Sequence, residues 1–300
     1  MNLALGTVQF GLDYGISNST GITPLKEIEH ILISAREKGL DTLDTAVAYG
    51  DSETVLGCIG VRDWRVVSKV PTFQKSGMSG KEWVLHHLSE SLERLRIRKL
   101  YGLLLHSAAD LLGEEGQQIA AGLRKAKSEG LVGKVGYSIY SPLRLKELVQ
   151  IMPPDLIQAP LNVFDQRLVT SGWLNKLSEM GVEVHTRSVF MQGLLLMTPE
   201  TRPQAFNKWN DFLGRWDTAV GKQSEQALAL CLGFVKRHSG ISRVVLGVES
   251  LKQLEQLVET WDRATPFDAA GLACDDPLLV EPTNWNSNVL KTRCDRTFRR

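Results

Sequence analysis

Four side chains, in chain order an Asp, a Tyr, a Lys and a His, could together place a proton on a carbonyl oxygen: Asp44, Tyr49, Lys69 and His106. A phenol has a pKa of about 10 and gives up its proton poorly near neutrality. An ammonium beside it favours the phenolate and lowers that value. A carboxylate next to the ammonium keeps it charged and in place. An imidazole close to the phenol can orient a bound carbonyl or assist the proton transfer. The set suits protonation of oxygen while hydride arrives at carbon, and no protein side chain delivers hydride, so a nicotinamide cofactor is required. Singly, three of the four have plainer readings: Asp44 as a turn or cap residue, Tyr49 as half-buried packing, His106 as a satisfied core imidazole. Lys69 is less easily explained, because a lysine closing the apolar run VVSKV must either snorkel to water or find a partner.

The elements that must bring these residues together follow from the hydrophobic pattern. Short apolar runs alternate with longer amphipathic ones: LALGTVQF, DTLDTA, WRVVSKV, LYGLLLH, GKVGYSI, DLIQAP, VEVHTRSV and SRVVLGV read as strands, each followed by helical sequence. Thr23 and Pro24 predict the N-cap and first turn of the first helix, and Ser141-Pro142 opens another. Asp51, Ser52 and Glu53 read locally, as a turn and cap for a short helix at 52–59. Eight β-α units in roughly 260 residues predict an α/β fold, a parallel eight-stranded (β/α)8 TIM barrel, rather than an open doubly wound sheet; no G-x-G-x-x-G follows the first strand. In such a barrel, sites lie at the C-terminal ends of the strands. Asp44, Lys69 and His106 close strands two, three and four, with Tyr49 in the loop after strand two. Ser138, Gln158, and Arg187 with Ser188 close strands five, six and seven.

Two segments exceed one unit per loop. Residues 190–222 hold Trp209, Phe212 and Trp216 at near-helical spacing, which predicts an extra helix. Residues 264–300 form a tail rich in Pro, Asp and Asn, expected to fold partly over the 1–263 barrel, with a mobile basic end. The 300 residues carry a net charge of +1, which gives no global attraction to nucleic acid or membrane surfaces. Neither a signal peptide nor an apolar run of about 20 residues is visible, so a cytoplasmic location is expected. The four cysteines lack C-x-x-C spacing, and no His-x-His or clustered carboxylates sit at strand ends, so neither a structural zinc site nor a metal-dependent hydrolase is expected. The oligomeric state is left open.

The pieces LGTVQFG, LDTAVAYGDSE, VVSKV, LLLHS, GKVGYS, IQAPLNVFDQR, RSVFMQGLLL and VVLGVESLKQLEQ together resemble the aldo-keto reductase superfamily, nearest to bacterial members that lack the N-terminal hairpin plug. The resemblance implies reversible NADPH-dependent reduction of an aldehyde or ketone, with Tyr49 as general acid/base, Lys69 and Asp44 tuning it and His106 orienting the carbonyl. It assigns Ser138 and Gln158 to the nicotinamide carboxamide, with Asn162 as structural support. Gly6 and Thr7 fall in the first strand's motif beside the cofactor. The 188–194 loop, with Ser188 and Gly193, lies along the pyrophosphate; Arg187 is counted with the cofactor-binding residues, and an anionic substrate or a phosphate is the other expectation for its guanidinium. Gly247, Ser250 and Gln253 belong to the loop and helix start that hold the adenosine phosphate; a helix N-terminus suits that group.

Three positions depart from the pattern. Ile139 replaces the common Asn, Arg187 replaces an aromatic that stacks on the nicotinamide, and Glu249 stands where relatives carry Arg or Lys. A carboxylate there would repel a 2′-phosphate and could accept from a free ribose hydroxyl, which keeps NADH open. The alternative from another class is a cofactor-binding sensor on the same barrel with little turnover, as in potassium-channel β subunits. The expected partner is a small carbonyl compound, with a hydroxylated, sugar-like one as the narrower expectation.

Overall fold

The computed structural model describes residues 2–221 and 224–285. Met1, Cys294 and the basic end at 291–300 lie outside the described residues. Eight parallel strands close a barrel in sequence order: β1 (Leu3–Gly6), β2 (Thr42–Asp44), β3 (Arg65–Val70), β4 (Leu100–Leu105), β5 (Val132–Ser138), β6 (Leu156–Pro160), β7 (Glu183–Arg187) and β8 (Arg243–Gly247). β8 returns to pair with β1, from Leu3 opposite Val244 to Gly6 opposite Gly247, so no strand edge is left open.

The helices form the outer layer. The helix Gly80–Leu95 shows why they sit there: Trp83, Val84, Leu88, Ser91 and Leu95 recur at helical spacing and are all buried. Its start is set by a capping box, in which Ser79 and Glu82 satisfy each other's backbone N–H groups, and its end by Arg96 in the left-handed conformation at φ 54°. The expected extra helix is Asn210–Val220, preceded by 3-10 turns, with Trp216 donating to the Leu195 carbonyl at 3.0 Å. The helical sequence after β6 forms two short pieces, Arg167–Thr170 and Trp173–Glu179, broken at Gly172. The first helix begins at Leu25, with Pro24 as the cap residue, and the Thr23 hydroxyl is buried without a partner rather than capping it. Among the described residues, no helix is long and apolar enough to cross a membrane.

Register explains how the strands aim side chains at one mouth. Val67, Leu104 and Leu156, with Tyr101 against them, form a small apolar cluster separate from the main core. Side chains two residues apart along a strand share a face. Lys69, His106 and Gln158 each lie two residues beyond Val67, Leu104 and Leu156, and so stack as the next layer toward the C-terminal end. Asp44 pairs with Val67 in the register of β2 and β3, and joins the same face. Below, Glu183 gathers Lys134, Tyr101 and His185, closing the opposite end with polar contacts.

The described part of the tail packs on the barrel. The Cys274 backbone amide donates to the Phe164 carbonyl at 2.9 Å, the Trp209 indole donates to Asp276 at 2.8 Å, and Trp285 meets Phe206 edge to face with ring centroids 4.9 Å apart. Arg167 is the hub: it binds Asp165 and Glu281, each at 2.8 Å, and donates to the Tyr140 carbonyl at 3.0 Å.

Candidate active site

Lys69 is the centre of the site. It is 1% exposed, and its ammonium donates to Asp44 Oδ2 at 2.7 Å, to the Thr45 carbonyl at 2.9 Å and to Tyr49 Oη at 3.3 Å. Those three bonds use all three donors of the group. The second oxygen of Asp44 accepts from Gln158 Nε2 at 2.7 Å, so β2, β3 and β6 are joined across the lumen. His106 stands edge to face with Tyr49, with ring centroids 5.7 Å apart.

The loop carrying Tyr49 is fixed from three directions. Gly11 presses its backbone against it; a Cβ there would sit 2.0 Å from the Tyr49 carbonyl, so no larger residue fits. Ser52 donates to the carbonyl of Thr7 at 2.9 Å and lies within the same distance of its hydroxyl. Glu53, 1% exposed, accepts from Ser68 at 2.5 Å and from Ser91 at 3.2 Å, and pairs with Arg94 at 2.8 Å. The local turn-and-cap reading of residues 51–53 is therefore corrected: Asp51 makes no side-chain cap, and Ser52 and Glu53 are buried ties to β1, β3 and the helix at 80–95. An acidic residue followed by an apolar helix looks the same in sequence whether it caps or reaches a distant arginine.

The electrostatics follow from burial. Burial works against the Lys69 charge, but Asp44 and Tyr49 outweigh it and hold its pKa above the ordinary lysine value. Burial also pushes the Tyr49 phenol up, further raised by Asp44, and the pull of Lys69 and Arg187 does not cancel this. Lys69 thus pulls the phenol down as expected, but burial outweighs it, and the phenol is held protonated with a cation against its oxygen. His106 is lowered to about 4 by burial and by the charges of Lys69 and Arg187. Near neutral pH its ring is uncharged, with one N–H to donate.

A cavity of about 560 Å³ opens above this layer, within the size range of small-molecule sites. Its wall includes Asp44, Tyr49 and His106, and also Gly6, Thr7, Gln158, Arg187, Ser188, Gly193, Gly247 and Gln253. Ser138 and Ser250 are not on that wall. Ser138 is buried in register with Gln158, and Ser250 caps the helix Leu251–Arg263 by accepting from the Gln253 amide. Tyr14 and Tyr140 also line the cavity, whereas Trp285 does not.

Two features suit a bound dinucleotide. Gln158 Oε1 is buried with no hydrogen-bond partner, an acceptor of the kind a carboxamide N–H satisfies. The 188–193 segment has positive φ at Ser188, Met191, Gln192 and Gly193, and lines the cavity at Ser188, Gln192 and Gly193, where a turned backbone with a glycine lets a ligand approach closely. Gly193 at φ 92° leaves no room for a side chain, since a Cβ would lie 1.8 Å from Ser17 Oγ. Asn162 fixes this segment from below: its amide donates to the Ser188 carbonyl at 3.1 Å, while its oxygen accepts from the Phe164 and Asp165 amides. At the far end the wall holds Glu249, Gln253 and Gln256; among the described wall residues Arg187 is the only Lys or Arg.

Comparison with known proteins is consistent with this geometry. The model of the aldo/keto reductase family matches residues 2–272. The chain is similar to the holo form of an aldo-keto reductase from Bacillus halodurans, with 21% identity, a TM-score of 0.71, and 90% of this chain and 89% of that one covered. It is also similar to an aldo-keto reductase from Klebsiella pneumoniae in complex with NADPH, with 21% identity, a TM-score of 0.64, and 90% and 88% covered. A comparison with curated proteins found no match.

Proposed function

The chain belongs to the aldo/keto reductase family, an NAD(P)H-dependent oxidoreductase family, and from that premise we propose that it catalyses the reversible reduction of an aldehyde or ketone with Tyr49 as the proton donor. The observation that carries this reading is the Lys69 ammonium, buried and shared between Asp44 and Tyr49. The phenol is held protonated by burial until negative charge develops on the carbonyl oxygen beside it. The nearby cation then stabilises the phenolate left after the proton moves, so the stabilisation appears where charge develops. Neutral His106 donates its N–H to the same oxygen and fixes its direction. Gln158 holds Asp44 with its amide N–H and offers its free oxygen to the carboxamide of a nicotinamide. A nicotinamide bound there supplies the hydride.

We assign NADPH as the family's expected cofactor. The wall favours NADH as a second reading, because Glu249 rather than a cation lines the far end. The barrel at 1–263 supplies all of these groups, and the tail from 264 is assigned a supporting role.

Purified protein incubated with reduced cofactor and a panel of aldehydes and ketones is expected to oxidise the cofactor steadily. Tyr49→Phe should lower kcat by about a thousandfold or more while keeping cofactor affinity. Single turnover only, or a fully active Tyr49→Phe variant, would overturn the assignment and favour a sensor. Dissociation constants for NADPH and NADH, read by quenching of tryptophan fluorescence, decide between the cofactors.

A further inference from the structure

Arg187 is the wall residue that the reduction chemistry leaves unused. Its guanidinium is half-buried and rigidly placed. It stacks on the Tyr140 ring at 4.3 Å, and it donates to the Ile139 carbonyl at 3.1 Å and to Ser188 Oγ at 3.0 Å. Tyr140 is itself held through its carbonyl by Arg167. A guanidinium has five N–H donors, so about three remain for a ligand.

The charge balance of the wall points the same way. Lys69 is neutralised by Asp44 at 2.7 Å, and His106 is uncharged near neutral pH. Among the described residues, no carboxylate lies within salt-bridge distance of Arg187. Among the described residues this half-buried cation is fixed by neutral groups, the Ile139 carbonyl, the Ser188 hydroxyl and the Tyr140 ring, which leaves positive field for a ligand. That field reaches the chemistry, since Arg187 bears on Tyr14, Tyr49 and His106 together. Arg187 lines the same cavity as Tyr14, Tyr140 and Tyr49.

We propose that Arg187, presented by Tyr140 and Ser188, is an anion subsite for the substrate, so that the protein acts on carbonyl compounds carrying a carboxylate or a phosphate. The planar fork of the guanidinium matches either group by two parallel hydrogen bonds. This inference rests on the carbonyl-reductase reading above.

The test compares pairs of aldehydes that differ in charge, read as a ratio within each variant. The pairs are succinic semialdehyde against its methyl ester, and glyceraldehyde 3-phosphate against glyceraldehyde. In the native protein kcat/KM is expected to favour one charged member by about tenfold or more, and which pair shows it separates carboxylate from phosphate. Arg187→Met should bring that ratio to about one, with Arg187→Lys keeping part of it. A ratio near one in the native protein, or one unchanged in Arg187→Met, overturns the proposal. So does a loss confined to cofactor affinity, which would make Arg187 a cofactor group. If no aldehyde turns over, the reductase reading fails separately. The subsite is then read by calorimetric titration of the cofactor-saturated protein with succinate and with inorganic phosphate. Binding lost in Arg187→Met upholds it, and no binding to the native protein overturns it.

Discussion

Replacing Asp44 with Asn removes one charge and keeps the shape, so it isolates what the Lys69 pair does. Lys69 would keep the Thr45 carbonyl at 2.9 Å and Tyr49 Oη at 3.3 Å, but both are neutral dipoles. Its charge would remain 1% exposed with no counter-charge. Breaking a buried pair by removing one partner costs about 3–5 kcal/mol. There is a second effect. The asparagine must turn its oxygen to Lys69, which aims its NH2 at Gln158 Nε2, donor against donor. Gln158 relieves this by reversing its amide, which puts an NH2 where its unpartnered acceptor was. Asp44→Asn is therefore expected to lose about 3–5 kcal/mol in urea unfolding at pH 7 and to bind reduced cofactor more weakly. Lys69→Met alone should cost a similar amount, because it strands Asp44. The double variant Asp44→Leu, Lys69→Met should recover most of the loss while staying inactive, since a buried pair exchanged for apolar groups is close to neutral. Single variants within about 1 kcal/mol of the native protein, or losses that simply add, would refute the coupled pair. The pH sign is set as well. Lys69 is held above its ordinary value of 10.5, so its contribution is complete at neutral pH and is lost only as pH rises through that raised value.

Two further outcomes follow from the same geometry. His106 is lowered from 6.5 to about 4, so below pH 6.5 the unfolded chain takes up a proton that the native site refuses, and stability falls as pH drops toward 4 by at most about 3 kcal/mol. His106→Gln should lack that part of the acid sensitivity in urea titrations at pH 7 and 4.5; an identical loss in both proteins would count against it. Glu53→Gln removes the charge that Arg94 meets at 2.8 Å in a buried position, and should cost about 2–4 kcal/mol and lower kcat with little change in cofactor affinity. An unshifted urea midpoint would show that the tie does not anchor the loop.

The barrel and the reactive set were legible from sequence because each depends on pattern alone. Strand ends follow from apolar runs, and two-residue periodicity places Lys69, His106 and Gln158 over Val67, Leu104 and Leu156. Long-range partnerships carry no such periodicity. Glu53 and Arg94 are far apart in the chain, and nothing local distinguishes their pairing from a capped helix. The environment of Arg187 was hidden for the same reason, since Tyr140, Ile139 and Ser188 meet it from two strand ends. For Tyr49 a sequence supplies the neighbouring charge of Lys69, which lowers the phenol as expected, but not the degree of burial that outweighs it.

The ties that hold the Tyr49 loop have a consequence for how this scaffold can change. Gly11, Ser52 and Glu53 lock the acid-delivering half of the mouth to strands and an outer helix, with no slack for the phenol to shift. The opposite half, from Arg187 through Gly193 and on to Glu249, is set by backbone turns and by Asn162, and it is this half that presents Arg187, Gln192 and Glu249 to the cavity. Selection or engineering can rewrite which molecule is accepted, and which dinucleotide, by working on that second half, without re-aiming the proton. The molecule is thus divided into a part that must be inherited intact and a part that is open to revision.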